Sequence, residues 1–241
     1  VFSTKLWWIM LLTAAALTSL GALPVLLVAN LGEEIPELDV AGPALLEQVW
    51  STMGSAAIIA MILGILSFTS EYRHETITDT FLTEPRRGRV VAAKAAVNAV
   101  LGAMVALVSA VTVIGLALWL LPDGHAPIDW SYVVRIVLAV VLTDALYAIL
   151  GVSVGALITS QLAAVLLALL WVLLIEGLIA AINPTVGKWL PGGAAQSILG
   201  GQSSGVDLLP PVAGVAVLLA YTVAVGALAA STTLRRDITC R

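Results

Sequence analysis

The chain has 241 residues, 60% hydrophobic and 11% charged, with a formal net charge of -4 and a mean hydropathy of +1.06. Soluble domains carry about a quarter charged residues, so this composition excludes that class and makes the chain a polytopic membrane protein. A single cysteine, Cys240, excludes an internal disulfide, and the two histidines, His74 and His125, fall in different connections and supply no metal framework.

A helix needs about 20 apolar residues to cross the hydrocarbon. Six runs meet that length: Leu6 to Ala29, Val49 to Phe68, Val90 to Leu121, Tyr132 to Ile158, Leu162 to Ile182 and Pro211 to Thr232. A β-barrel would show short strands of alternating polarity; these runs are continuous and rich in Ala, Leu, Val and Gly, so the expected class is an all-α membrane protein with a single domain over 1–241. The first run exceeds a signal-peptide core and reads as a retained span.

Six spans put both termini on one side. With that side cytoplasmic, it holds Lys5, Arg73, Arg86, Arg87, Arg89, Lys94, Arg235, Arg236 and Arg241, nine of the 11 basic residues, as expected where Lys and Arg favour the inside. The first outer loop is acidic instead, with Glu33, Glu34, Glu37, Asp39 and Glu47. Trp7 and Trp8 at the inner end of the first span, and Trp50, Trp119 and Trp130 at outer ends, are expected as interfacial anchors.

Between the second and third spans, Phe68 to Lys94 carries nine of the 26 charged side chains (11 basic plus 15 acidic). Within it Thr69 to Leu82 is expected to form an amphipathic helix, with Ile77 and Phe81 on one face and Glu71, Arg73, Glu75 and Asp79 elsewhere around it, ended by Pro85. Arg86, Arg87 and Arg89 then face anionic headgroups, each attracted by about 1 kcal/mol. Acids and bases nearly balance in this segment, so nucleic acid is not expected as a partner.

Asn98, Ser109 and Thr112 in the third span supply groups for helix-to-helix hydrogen bonds. The fourth holds Asp144, with Tyr147 one turn beyond, and the spaced pair Gly151 and Gly155; the fifth holds Glu176. A carboxylate at membrane depth costs several kcal/mol unless paired, hydrated or protonated. Two readings stand for this pair: a proton relay or cation-binding site, or a structural role in which Asp144 bonds neighbouring hydroxyls and Glu176 reaches the outer interface.

The last outer connection, Asn183 to Pro210, is glycine-rich and weakly charged, unlike a solvated loop. A short helix near Ala194 to Leu199 is expected to dip back into the bilayer edge as a re-entrant segment, which requires protein or water over its free backbone groups.

No G-x-x-x-x-G-K-[ST] phosphate loop occurs, so ATP hydrolysis by that route is not expected in this chain. H-E-x-x-H is absent as well, and the serines lack a partnering histidine at membrane depth. No enzymatic activity and no cofactor are expected. The connection after the second span is long and the one after the fourth is a tight turn, which argues against an inverted repeat.

The order Gly64, then Glu71-Tyr72-Arg73, Thr76-Ile77, then Leu82, Pro85-Arg86-Arg87, then Lys94 opening the next span resembles the signature of ABC type-2 permeases, the membrane subunits of type V ABC exporters. Six spans, an acidic first outer loop, the L-P-G-G of Leu190 to Gly193 and the R-R-D of Arg235 to Asp237 are similar to that family too. The N-terminal elbow helix usual in the family is nearly absent, which fits a trimmed chain. The resemblance implies a half-transporter in a bacterial plasma membrane, multi-pass with cytoplasmic termini, paired with a second permease subunit as a homo- or heterodimer. Each permease would dock on a separate ABC ATP-binding subunit that carries the ATP and Mg. Ser70 to Leu82 would be the coupling helix, with Glu71, Tyr72, Arg73, Thr76, Ile77 and Phe81 meeting the ATPase. The resemblance places the first, second and fifth spans on the substrate path, with Thr18, Met53, Met61 and Trp171 as candidate lining residues beside Asp144 and Glu176. A proton-coupled transporter using Asp144 and Glu176 and a non-transporting membrane scaffold are the alternatives.

Overall fold

A computed structural model of the chain describes residues 6–32, 43–73, 87–121, 127–158, 160–200 and 208–235. Among the described residues every regular element is helical and no strand occurs. Six segments are long and apolar enough to cross a membrane: Trp7–Ala29, Ala44–Ser70, Ala92–Leu120, Trp130–Leu157, Gln161–Ile182 and Pro211–Thr232. Each coincides with one expected run, so the architecture is that of an all-helical, multi-pass membrane protein. The second span starts earlier than Val49 because Pro43, whose ring presets the backbone for a first helical turn, opens a helix over Pro43–Ser51.

The second, third and fourth spans form the packed centre. Lipid tails are as apolar as Leu, so helices in a membrane are held by close fit rather than by the hydrophobic effect. The second and fourth spans meet at paired glycines. A Cβ on Gly64 would strike the Ala148 carbonyl oxygen, and one on Gly151 would strike that of Met61. Gly155 continues the seam, its hypothetical Cβ 3.2 Å from the Cα of Ile65. The spaced pair Gly151 and Gly155 is therefore a packing motif in use. The third span approaches the fourth in the same way, Gly102 lying against the backbone of Asp144.

Around this centre the other spans are loosely held. Of the second span's most apolar window 61% is buried, against 22% for the first and sixth and 11% for the fifth. The fifth span leans chiefly on the second, and the sixth on the fourth, leaving a cleft between them.

Two spans are irregular. The second passes through a 3-10 stretch at Thr52–Ala56, and the fifth through a π-helical turn at Leu170–Ile175. Near both, the chain between the fifth and sixth spans folds into two short helices, Pro184–Gly187 and Pro191–Leu199. The second of these is wedged into the bundle, with Ala194, Ile198 and Leu199 buried. The Leu199 side chain fills the space where Gly54 has no Cβ. Gly200 ends this helix at φ 69°, the left-handed position that favours glycine as a C-terminal stop.

One expectation about the aromatic belt is corrected. Trp119 and Trp130 are exposed, as anchors should be, but Trp50 is 2% exposed. It packs in the core with Val49, Met53, Val133 and Ile136. The sequence shows only that Trp50 lies near a span end; the burial comes from the first, third and fourth spans closing over it.

Candidate functional site

The π-helical turn widens the fifth span by about one residue per turn relative to an α-helix and ends at Glu176, the first residue of helix Glu176–Ile182. Glu176 is 5% exposed, and its Oε2 accepts a hydrogen bond from the Gly192 backbone N–H at 2.7 Å. Gly192 lies in the first turn of Pro191–Leu199. That turn has free N–H groups and the positive end of the helix dipole, so a carboxylate there satisfies an otherwise unpaired donor. The L-P-G-G sequence has a physical reading here. Pro191 opens the helix with no N–H to satisfy, a Cβ on Gly192 would collide with Glu176 Oε2, and one on Gly193 would collide with the Gly187 carbonyl.

Beside this contact lies a cavity of about 280 Å³, bounded by Met61 of the second span, Tyr147 of the fourth, Trp171 and Glu176 of the fifth, Tyr221 of the sixth and Pro191. Aliphatic side chains complete the wall. Glu176 Oε1 is a buried atom without a close hydrogen bond among the described residues, and the Trp171 side chain is the second donor to the carboxylate.

Three residues expected on a substrate path, Met61, Trp171 and Glu176, thus converge on one cavity. Asp144 stands behind it, within Coulombic range of Tyr147 and fully buried. Neither of its carboxylate oxygens, nor the Thr143 hydroxyl beside it, has a hydrogen-bond partner among the described residues. Its expected bonds to neighbouring hydroxyls do not form, and Glu176 turns into the bundle instead of reaching the interface. Thr18 and Met53 lie off the cavity. The Thr18 hydroxyl donates to Ala14 O at 2.9 Å and Ala15 O at 3.0 Å within its own helix, and Met53 belongs to the cluster around Trp50.

Sequence reasoning missed Tyr221 and Pro191 as cavity residues. The signal for Tyr221 was present: a polar-tipped ring alone among Ala, Val and Leu in the sixth span, where its hydroxyl needs a polar or open setting. Residues 151–155 also spell G-x-S-x-G, as a nucleophile elbow does. They lie inside helix Trp130–Leu157, where Ser153 Oγ donates to Ile149 O at 3.1 Å, so no strand-to-helix elbow exists there. Among the described residues no cluster of acidic, His or Cys side chains could hold a metal ion.

At the opposite end of the bundle, the second and third spans are clasped beside the charged segment. Lys94 Nζ donates to Ser67 O at 3.1 Å and sits 5.0 Å above the Phe68 ring. Asn98 Nδ2 donates to Ser67 Oγ at 2.7 Å and to Lys94 O at 2.8 Å. Glu71, Tyr72 and Arg73 occupy the last turn of helix Ala57–Arg73. Thr76, Ile77 and Phe81 lie outside the described residues, as does most of the expected amphipathic helix.

The sequence matches no protein-family model and no curated protein.

Proposed function

We propose that this chain is the permease subunit of an ATP-driven ABC exporter, forming a translocation path as a dimer and coupled to separate ATP-binding subunits. One observation carries the reading beyond the sequence pattern. The two signature residues that flank the charged segment, Gly64 and Lys94, make the contacts that join the second span to the fourth and to the third. A force applied to residues 70–82 as a coupling helix would enter a clasped three-helix unit. From there it would reach the Met61 and Tyr147 walls of the cavity, while the loosely held fifth and sixth spans are free to move against that unit. The short helix Pro191–Leu199, bonded to Glu176, would then be the re-entrant segment that gates the cavity. On this reading both termini and residues 74–86 face the cytoplasm of a bacterial cell, and ATP and Mg bind only the partner.

The test is purification from the native membrane followed by reconstitution. A P-loop ATPase is expected to co-purify, and Glu71→Ala with Arg73→Ala is expected to abolish stimulation of its activity and ATP-dependent flux while membrane insertion survives. Unchanged ATP-dependent flux in that variant removes the coupling role. The buried, unpartnered Asp144 favours proton-driven transport as the competing reading, and the same vesicles separate the two: flux on a pH gradient alone, without the ATPase, would decide for it.

A further inference from the structure

We infer that the cavity between the second, fourth, fifth and sixth spans seats a single acyl chain of a membrane lipid, which enters sideways through the gap between the fifth and sixth spans. Apart from Pro191, every wall residue lies within a span, so the medium beside the cavity is hydrocarbon. The fifth span leans on the second and the sixth on the fourth, which leaves the gap between them open. Two wall residues of the fifth span, Leu167 and Trp171, are 52% and 41% exposed, whereas Leu150 and Ala168 of the same wall are buried. The slot therefore runs from the lipid-facing surface to the packed centre.

The walls select that occupant. They contain no Lys, Arg, His, Ser, Thr, Asn or Gln. The one carboxylate, Glu176, is taken up by the Gly192 N–H and the Trp171 side chain, and its second oxygen is buried. A headgroup, sugar or peptide finds neither a counter-charge nor a set of hydrogen bonds here. Water fares no better, since an ordered water needs about two to four polar partners. An empty slot would forfeit the dispersion contacts of its lining, and a hydrocarbon chain restores them. Shape agrees with chemistry. From Tyr147 to Val154 and from Leu167 to Glu176 the wall runs about 10 and 14 Å along the helices, at about 1.5 Å per residue. The volume of about 280 Å³ stands at the small end of ligand sites, roughly 300–1,000 Å³, so one chain fits and a whole lipid does not. Bilayer and slot are equally apolar, so close fit rather than the hydrophobic effect holds the chain. That the seated lipid is also the cargo rests on the export reading; that its chain binds does not.

The test uses the full chain in phosphatidylcholine nanodiscs without any ATPase, with a small fraction of a phosphatidylcholine that carries a diazirine near the end of one acyl chain. After irradiation, labelled residues are mapped by peptide mass spectrometry. Label is expected on the buried Leu150 and Ala168 as well as on Val111, which is exposed on the third span. Ala168→Phe, which narrows the slot, is expected to remove the label from Leu150 and to leave that on Val111 unchanged. Label confined to exposed residues such as Val111 overturns the seat, and so does undiminished Leu150 label in a folded Ala168→Phe. The map of the unaltered chain needs no variant, so it decides even if Ala168→Phe fails to fold. With no ATPase present, either result leaves the export reading to be judged on flux alone.

Discussion

Glu176 shows how one carboxylate at membrane depth holds a neighbouring helix. Its Oε2 caps the helix that opens at Pro191, and its Oε1 is buried with the Trp171 side chain as a further donor to the carboxylate. The capping half is measurable by itself. Glu176→Ala leaves the Gly192 N–H buried without an acceptor, a loss of about 1–3 kcal/mol, whereas Glu176→Gln keeps an oxygen in place. Thermal unfolding in detergent, followed by circular dichroism, is expected to show a lowered melting temperature for Ala and none for Gln; equal melting of Ala and wild type would mean that the contact does not hold the short helix. The carboxylate itself was legible in the sequence as an anomaly in an apolar run. Its partner was not, because Gly192 is 16 residues away, and only the reversal through Asn183 and Pro184 brings it back.

Helices pack here by two different rules, and the difference separates a firm unit from a movable one. The second and fourth spans touch backbone to backbone at Gly64, Gly151 and Gly155, while the fifth is mostly uncovered. Gly151→Ala forces a methyl group into the Met61 carbonyl, and overpacking of this kind costs about 1–3 kcal/mol. Gly115, in the third span, has nothing within 4 Å of where its Cβ would stand, so Gly115→Ala is expected to be neutral or slightly stabilising. Melting of the two variants side by side checks the seam; similar melting of both would show that the contact at Gly151 is not tight. Span length and helical class were readable because both are local properties of the sequence. The Gly151 and Gly155 spacing was readable as a pattern, but with 20 glycines in the chain only the facing carbonyls of Met61 and Ile65 give it meaning. Trp50 misled because proximity to a span end says nothing about which neighbours cover it. The break at Thr52–Ala56 contains the pair Gly54-Ser55, a combination at which helices often bend, whereas the π-helical turn at Leu170–Ile175 is all apolar and left no mark in composition.

Taken as a whole, the molecule is an unevenly covered bundle, and that unevenness bears on its assembly. Exposed apolar faces need no protein partner in a membrane, since lipid covers them; a π-helical turn keeps its backbone bonded, the Glu176 N–H donating to Trp171 O, but such turns are frequent at functional sites. The π-helical turn Leu170–Ile175 has no buried residue in the single chain, and Leu173 beside Glu176 is 63% exposed. The third span exposes Val111 still more, at 73%, yet its helix is unbroken over Arg87–Leu120 and asks for nothing beyond lipid. On the proposed function, a second permease subunit lying along the fifth span would meet that turn and place two cavities on either side of a shared seam. Because Cys240 is the one cysteine, Cys240→Ser gives a clean background for locating that seam if the assembly is a homodimer. Leu173→Cys is expected to form a cross-linked dimer under mild oxidation in native membranes, and Val111→Cys to stay monomeric. Efficient cross-linking at Val111 with none at Leu173 would put the partner on the third span and leave the π-helical turn facing lipid.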